Sequence, residues 1–249
     1  MASDGLDGAA FYNAADKVDR YLRHRHDPAR SPNLTMEQPA FLATVGDCED
    51  VDIVELGCGD GDFAATAIAA GCRSYVGIDL SAVMVERARL RLAPTDAVIE
   101  HGAIEDVHRP AGSVDLVVSR MALHYVAELH TVLRNVHGWL RPGGRAVISV
   151  VHPVITSHDN AAAGPRQHWV VDDYFVSGPR TRIWFDEPVV WHHRTIEQYV
   201  TALRSAGLSL MTLSECEPVA DLFAGDHDAL ARRRRVPLFL LLEARRLGA

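Results

Sequence analysis

The chain has 249 residues, of which 48% are hydrophobic, and it carries a formal net charge of −8 at pH 7 with a sequence pI of about 5.9. This length predicts one domain with a sizeable core and leaves too little chain for two full domains. The net acidity excludes a general attraction to nucleic acid or to an anionic membrane, and it favours a small-molecule partner.

The cysteines and the hydropathy pattern indicate where the protein works. The four cysteines form no CxxC pair and no metal-finger spacing, and they are sparse for a secreted disulfide scaffold. No apolar run reaches the roughly 18 residues of a membrane span, and the N-terminus lacks the basic and apolar regions of a signal peptide. We therefore expect a soluble cytoplasmic protein, whose oligomeric state the sequence leaves open.

Two helices are predicted ahead of any strand. Residues 11–24 carry apolar side chains at helical spacing and predict a short amphipathic lid helix. Residues 35–38, Thr-Met-Glu-Gln, fit a capping box with Pro39 in the first turn. This capping box predicts a second helix that ends at Val45.

Residues 51–151 alternate short apolar runs with helical patterns, which is typical of a parallel sheet with crossover helices. An amphipathic helix is predicted just before the last of these apolar runs, because Leu129, Val132, Leu133, Val136 and Leu140 fall on one helical face. The Arg-Pro-Gly-Gly that follows is expected to end this helix. The predicted strands of this region are 51–56, 74–78, 97–100, 114–119 and 145–151.

The chain changes character after the fifth predicted strand. Residues 152–194 show little periodicity and hold six of the 17 aromatic residues, which indicates an insertion over the sheet with room for short strands of its own. Residues 195–198, Thr-Ile-Glu-Gln, form another capping box, whose helix ends near Gly207. The last two predicted strands are 208–213 and 237–243.

The loop after the first strand is the most informative part of the sequence. Residues 51–61 read V-D-I-V-E-L-G-C-G-D-G, so an apolar run leads into three glycines spaced G-x-G-x-G. Glu55 precedes the first glycine, and Asp79 closes the next apolar run, Y-V-G-I-D. In a dinucleotide-binding loop a small residue would stand at position 62, but here Asp62, together with Asp60, would repel a pyrophosphate. A P-loop is excluded because no G-K-[ST] follows.

A cationic nucleoside without phosphates would tolerate this acidic loop. S-adenosylmethionine fits that description, since its ammonium can pair with Glu55 or loop carbonyls and its ribose diol with Asp79. Its sulfonium is favoured by negative surroundings. For the glycines alone, a tight turn between strand and helix without any ligand is the alternative.

Four blocks of the sequence resemble a known family. E-L-G-C-G-D-G is similar to motif I of class I S-adenosylmethionine-dependent methyltransferases, and Y-V-G-I-D-L-S resembles their second motif. V-D-L-V-V-S-R-M-A-L-H-Y-V and L-R-P-G-G-R-A-V-I-S-V resemble their fourth-strand and fifth-strand blocks. The resemblance covers about residues 50–151 well and the C-terminal strands loosely.

The resemblance implies positions for the cofactor contacts. Met84 would lie near the adenine and Arg120 below the methionine moiety. The family usually has an acid directly after the glycine that follows the third strand, but this chain has Ala103 there, so the backbone of Ile104 or the side chain of Glu105 is expected to serve. The predicted cofactor-binding residues are Glu55, Gly57, Cys58, Gly59, Gly61, Asp79, Leu80, Met84, Ile104, Glu105, Ser119 and Arg120.

The elements and the resemblance together predict an α/β fold with a Rossmann-like, seven-stranded, mostly parallel, doubly wound sheet. We expect one domain over residues 1–249. Its parts would be an N-terminal helical lid (1–46), a cofactor-binding core (47–151), a substrate cap inserted after strand 5 (152–194) and C-terminal helices and strands (195–249).

Residues that could act on a methyl acceptor are sought at the carboxyl ends of strands, where open α/β sheets bind ligands. His152 directly follows the fifth strand, His124 follows the fourth, and Tyr21 lies on the predicted lid helix. A hydroxyl or ammonium acceptor needs a base, whereas positioning suffices for an electron-rich aromatic carbon. We predict catalytic roles for His152, His124 and Tyr21, with a structural hydrogen bond as the alternative for each histidine.

The cap and the lid are expected to enclose an aromatic acceptor pocket, with a minicore of the cap's own as the alternative for its aromatic residues. The predicted substrate-binding residues are Tyr12, Tyr125, Trp169, Tyr174, Trp184, Trp191 and His192. A group of histidines falls in one region, but their spacing matches no ligand motif, so no metal site is predicted. These histidines are His152, His158, His168, His192 and His193.

The function predicted from the sequence is methyl transfer from S-adenosylmethionine to a small, largely apolar and aromatic metabolite of the kind found in specialised metabolism. The accepting atom is oxygen, nitrogen or carbon, indole carbons included, and His152 would orient or deprotonate the acceptor. Two rivals stay open: an NAD-dependent oxidoreductase, and a non-catalytic S-adenosylmethionine-binding regulator. A further alternative is an enzyme that uses the cofactor's charge in a rearrangement.

Overall fold

The computed structural model describes residues 11–27, 31–157 and 168–248 of the chain. The strands are β1 (Asp52–Leu56), β2 (Ser74–Asp79), β3 (Val98–His101), β4 (Val114–Arg120), β5 (Leu140–Val151), β6 (Gly178–Trp184), β7 (Glu187–His193), β8 (Ser209–Ser214) and β9 (Phe239–Arg245). The α-helices are α1 (Ala15–Arg25), α2 (Gln38–Val45), α3 (Asp62–Ala69), α4 (Ala82–Leu92), α5 (Leu129–Trp139), α6 (Pro153–Thr156), α7 (Ile196–Ser205) and α8 (His227–Arg233).

A seven-stranded sheet in the order β3-β2-β1-β4-β5-β9-β8 forms the centre of the molecule. Strands β1 to β5 pair in parallel, and β9 runs antiparallel to both of its neighbours. Apolar side chains of α2, α3 and α4 pack in one buried cluster with the sheet, and those of α5 and α7 pack in a second cluster. The predicted α/β class and the seven-stranded, mostly parallel, doubly wound sheet are confirmed.

The N-terminal region differs from its prediction at one point. Helix α1 matches the predicted lid helix, and α2 ends at Val45 as expected, but the capping box predicted at residues 35–38 is wrong. Residues Asn33–Glu37 form a π-helical turn, in which the Thr35 hydroxyl donates to the Ser31 carbonyl at 3.4 Å. The Thr35 hydroxyl is therefore directed to the preceding turn, and α2 begins without a side-chain cap.

The region after β5 has the predicted character of an insertion with strands of its own. Strands β6 and β7 form a separate antiparallel hairpin, which we call the cap hairpin. The capping box after it is confirmed, since the Thr195 hydroxyl accepts from the Gln198 amide at 3.1 Å and the Gln198 side chain accepts from the Thr195 amide at 2.9 Å. Strand β5 itself begins at Leu140 rather than at residue 145.

The cap hairpin and the lid helix meet over a small apolar core. Phe11, Val151, Ile155, Val189 and Trp191 are buried there. On the surface, ion pairs join α1 to the cap hairpin between Lys17 and Glu187 at 2.7 Å and between Arg20 and Asp186 at 2.9 Å. Within the described ranges, no helix has both the length and the apolar character needed to cross a bilayer.

The turn after β1 requires glycine at position 57, and any larger residue there would destabilise the fold. Gly57 has a φ of +79°, which lies in the left-handed region. A Cβ added to Gly57 would also overlap the side chain of Ala122, which follows β4. The backbone of this loop thus passes directly over the end of the neighbouring strand.

Replacing Gly57 by alanine should therefore destabilise the protein more than a positive φ alone explains. Gly112→Ala is the matched control, because Gly112 also has a positive φ, +61°, but faces open space. We expect Gly112→Ala to lower the free energy of unfolding by about 1–2 kcal/mol and Gly57→Ala to lower it by roughly a further 1–3 kcal/mol through overpacking. Urea denaturation without added ligand measures both, and equal losses would contradict the close approach.

Candidate active site

A cavity of about 330 Å³ opens at the carboxyl ends of β1, β2 and β4. It lies where the strand order reverses between β1 and β4, which is the expected ligand position in an open α/β sheet. One side is formed by the glycine loop and the other by α1 together with the segment after β4. The lining residues are Tyr12, Tyr21, Leu22, Arg25, Glu55, Gly57, Cys58, Gly59, Asp60, Asp62, Phe63, Asp79, Leu80, Ser81, Met84, Ile104, Glu105, Arg120, Met121, Ala122, Tyr125, Val126 and Ala127.

Asp79 ties the glycine loop to the end of β2. One of its carboxylate oxygens accepts from the Gly59 amide at 2.8 Å, and the other accepts from the Ser81 amide at 2.9 Å. Burial raises the pKa of Asp79, while these two backbone donors act in the opposite direction. The carboxylate is thus held rigidly at the cavity wall, where it can bind a diol.

Glu55 is a deeply buried acid at the base of the same wall. Its side chain is almost inaccessible, and the Tyr75 hydroxyl donates to it. Burial raises the pKa of Glu55 to about 8, although Tyr75 and Arg120 act to lower it. The site therefore presents a carboxyl that a cationic ligand would readily ionise.

The cavity end near β3 is largely apolar. Leu80, Met84 and Ile104 line it, with Glu105 beside them. Helix α4 begins there with a cap in which the Ser81 hydroxyl accepts from the Met84 amide at 3.1 Å. These surfaces suit the flat faces of a nucleobase.

The opposite wall, which we call the lid wall, consists of Tyr12, Tyr21, Arg25 and Tyr125. Arg25 donates to the Tyr21 hydroxyl at 2.9 Å, and the hydroxyls of Tyr12 and Tyr125 lie 3.3 Å apart. Three of the four predicted tyrosines, Tyr12, Tyr21 and Tyr125, therefore reach the cavity. Sequence reasoning missed Arg25, whose one-turn spacing from Tyr21 was the available signal.

A second missed group lies beneath the cavity. Arg120, at the end of β4, donates to the fully buried carboxylate of Glu37 through Nη2 at 2.8 Å and through Nε at 3.3 Å. The Ser149 hydroxyl donates to the same carboxylate at 2.6 Å. In the sequence, Glu37 carried no signal of its own, since it stands at an unspecified position of the predicted capping box, and its contact with Arg120 was not detectable.

Two of the predicted cofactor-binding residues do not line the cavity. Ser119 is fully buried, and its hydroxyl donates to the Leu56 carbonyl at 2.8 Å, so it joins β1 to β4. Gly61 has a φ of +77° and precedes α3, where it packs toward Ala88 and Leu92 of α4. Both residues therefore support the glycine loop structurally and do not contact the cavity.

The structure places His152 outside the cavity. The residue is almost fully buried, and its Nδ1 accepts from the Val154 amide at 3.2 Å, which caps α6. Its Nε2 lies 3.0 Å from a Glu215 carboxylate oxygen. Both ring nitrogens are thus engaged away from the lid wall.

His124 also lies behind the cavity rather than in it. Its buried ring packs against Tyr125 at 4.4 Å and against Trp191 at 5.4 Å between ring centroids. Burial, followed by the charge of Arg194, lowers the pKa of His124 to about 3, so the imidazole is neutral at physiological pH. It supports Tyr125 from behind.

The predicted aromatic residues of the cap pack within the cap rather than along the cavity. Trp184 lies 6.0 Å from Trp191 between ring centroids, and the Trp169 indole donates to the Val154 carbonyl at 2.8 Å. Tyr174 accepts from the Ile196 amide at 3.3 Å. His192 lines a separate cavity of about 400 Å³ beside α7.

The histidines considered for a metal site form no ligand cluster where the structure describes them. His158 lies outside the described residues, and His193 bonds to Thr156 and to the Tyr174 carbonyl. Among the residues that the structure describes, no group of three or more His, Cys, Asp or Glu side chains has the arrangement to hold a metal ion.

The donor and acceptor groups around the cavity fit S-adenosylmethionine. Asp79 is placed for a ribose diol, and Glu55 for an ammonium or sulfonium charge, while Leu80, Met84 and Ile104 offer apolar surface for the adenine. No arginine or lysine stands on the glycine loop to bind a pyrophosphate, and Asp60 and Asp62 would oppose one. The chemistry of the site thus favours a cationic nucleoside over a dinucleotide.

Comparison with known proteins supports the same cofactor. A family model described as a methyltransferase domain matches residues 54–148. An S-adenosylmethionine-dependent methyltransferase from Mesorhizobium loti is 36% identical, with 84% of this chain and 97% of that chain covered and a TM-score of 0.79. A proposed S-adenosylmethionine-dependent methyltransferase from Listeria monocytogenes is 30% identical, with 85% of this chain and 97% of that chain covered and a TM-score of 0.77.

A curated relative gives a shorter match. An uncharacterised methyltransferase of Mycobacterium bovis is 33% identical over 102 residues, which are 41% of this chain and 51% of that protein. The two solved structures, by contrast, are matched over nearly their whole length. The chain belongs to the class I S-adenosylmethionine-dependent methyltransferases and is an enzyme that uses S-adenosylmethionine as its cofactor.

Proposed function

We propose that the enzyme methylates a small, largely apolar acceptor, for which an aromatic ring is well suited. One observation carries this proposal: a single cavity contains both the glycine loop with its acids and the lid wall, in which three tyrosines accompany Arg25. Its volume of about 330 Å³ lies at the lower end of the roughly 300–1,000 Å³ typical of small-molecule sites. A ring packed on the lid wall would lie beside the bound cofactor.

In this proposal one side of the cavity binds the cofactor, and the lid wall binds the acceptor. When bound, S-adenosylmethionine supplies an electrophilic methyl group on a sulfonium. Asp79 would hold the ribose, Glu55 the ammonium, and Met84 and Ile104 the adenine. The tyrosines of the lid wall would orient the acceptor and exclude water, so that alignment provides most of the rate enhancement.

We assign His152 no contact with the reacting atoms in this proposal. Its two ring nitrogens already bond to Val154 and Glu215, and it does not line the cavity. His124 would act only through Tyr125, whose ring it supports.

We further propose a free metabolite as the acceptor and the cytoplasm as the compartment. The net charge of −8 gives no general attraction to nucleic acid. Among the described residues, Cys48, Cys58, Cys72 and Cys216 are free thiols, which suits a reducing compartment.

Calorimetry and a transfer assay test the proposed function together. We expect S-adenosylhomocysteine to bind with a micromolar dissociation constant and NADH to bind undetectably, because the acidic loop opposes a pyrophosphate. Labelled methyl groups should then appear on at least one member of a panel of phenols, amines, indoles and aromatic acids. Cofactor binding without transfer, together with a protein partner that recognises only the loaded form, would favour a regulator instead.

The buried carboxyl of Glu55 should couple cofactor binding to proton release. Its pKa is raised to about 8 by burial, so in the free protein it is mostly protonated at neutral pH. A cation beside it lowers that pKa, so binding releases a proton and the affinity for S-adenosylmethionine rises with pH. The rise should reach up to about tenfold per pH unit below the free-protein pKa and level off above it.

Titration calorimetry in two buffers with different ionisation enthalpies counts the released protons. Glu55→Gln should abolish the release, whereas Glu105→Gln, which alters another cavity-lining acid, should preserve it. The same proton count in the wild type and in Glu55→Gln would show that Glu55 does not face the cofactor's charge.

A further inference from the structure

The floor of the cavity carries a cation, although the cofactor is itself a cation. Arg120 lines the cavity at the end of β4, and its side chain is only 3% exposed. Its Nη2 and Nε donate to Glu37 at 2.8 and 3.3 Å, and its Nη1 lies 3.7 Å from an Asp62 carboxylate oxygen. The guanidinium also lies over the ring of Phe41, with 4.7 Å between Cζ and the ring centroid. Each nitrogen of the guanidinium therefore already faces an acid of the protein itself.

The charge of Arg120 acts on the part of the cavity where a cationic ligand would bind. Burial raises the pKa of Glu55 to about 8, while the Tyr75 hydroxyl and then the guanidinium of Arg120 act in the opposite direction. In a cavity of about 330 Å³, a bound charge lies close to every wall. An Arg120 without a counter-ion would therefore repel the sulfonium of S-adenosylmethionine.

Glu37 supplies that counter-ion from outside the cavity. Its carboxylate is fully buried, does not line the cavity and accepts a further hydrogen bond from the Ser149 hydroxyl at 2.6 Å. Burial acts to raise the pKa of Glu37, but Arg120 and Ser149 outweigh it and hold that pKa below its usual value. Glu37 thus carries a negative charge at neutral pH, and solvent screens this charge little.

From this arrangement we propose that Glu37 sets how strongly the site prefers S-adenosylmethionine over S-adenosylhomocysteine, the product that remains after methyl transfer. The two molecules differ by one methyl group and by the positive charge on sulfur. Because Glu37 neutralises Arg120, the acids that line the cavity can favour the charged donor. Glu37 is thus a positioning residue that acts through Arg120. Its effect is that the uncharged product competes less well with the next donor molecule.

Calorimetry with both ligands measures this preference. The dissociation constants of S-adenosylmethionine and S-adenosylhomocysteine are compared in the wild type and in Glu37→Gln, which keeps the shape of the side chain and removes its charge. We expect the affinity for S-adenosylmethionine to fall about tenfold more than the affinity for S-adenosylhomocysteine, because only the former has a charged sulfur for Arg120 to repel. Equal losses for the two ligands would overturn the proposal and leave Glu37 with a structural role only.

Ser149→Ala is the matched control. Ser149 is fully buried and donates to the same carboxylate, but it carries no charge. We expect this variant to be less stable, since it loses a buried hydrogen bond, and to keep the ratio of the two dissociation constants within about twofold of the wild-type ratio. A change of that ratio as large as in Glu37→Gln would assign the effect to disturbed packing and refute the role of the charge.

Removal of both charges should restore the preference. The double variant Glu37→Gln/Arg120→Gln replaces the ion pair with two amides, and we expect its ratio of dissociation constants to return to within about threefold of the wild-type ratio. A ratio that stays as it is in Glu37→Gln would show that Arg120 does not transmit the effect, and the proposal would fail.

A further comparison applies if Glu37→Gln does not fold, since that variant leaves a buried arginine without its partner. Arg120→Gln is then compared with the double variant, because these two proteins differ only at position 37. We expect the preference for S-adenosylmethionine to be at least about threefold stronger in Arg120→Gln, which keeps the charge of Glu37. Equal preferences in these two variants would contradict the proposal.

Discussion

The buried ion pair between Glu37 and Arg120 is the interaction on which the site depends most. Neither side chain is appreciably exposed, and each would be costly to bury alone. Burial by itself would raise the pKa of Glu37, but Arg120 and Ser149 outweigh it and hold that pKa below its usual value. Because the three groups come from the π-helical turn, β4 and β5, their bonds fix the chain that precedes the sheet to the floor of the cavity.

The aspartates on the glycine-loop side of the cavity are paired with an arginine. Asp60 and Asp62 both lie within ion-pair distance of Arg91, at 2.5 and 3.5 Å, whereas Arg25 stands on the lid wall. The lid is attached by surface ion pairs, which are each worth only about 0–1 kcal/mol, and by the apolar core beneath the cap hairpin. Its position therefore depends more on aromatic packing than on charge.

Sequence reasoning recovered the sheet because its signals are local. The apolar runs, the one-faced pattern of α5 and the capping box at Thr195 each depend on neighbours within a few residues. The same reasoning could not find the role of Glu37, because its partner Arg120 lies 83 positions away in the sequence. The sequence showed that residues 152–194 are rich in aromatic side chains. It held no signal to distinguish rings that line a ligand cavity from rings that pack against each other, as Trp184 and Trp191 do.

The position of His152 shows how strand order limits an inference from strand ends. The cavity forms at the reversal between β1 and β4, so the residues that follow β1, β2 and β4 line it. Strand β5 lies one place further along, and the chain leaving it turns at once into α6 with the His152 amide bonded to the Leu238 carbonyl at 2.9 Å. In this protein the carboxyl end of β5 therefore does not open onto the cavity, and the histidine that follows β5 instead joins the cap to the sheet.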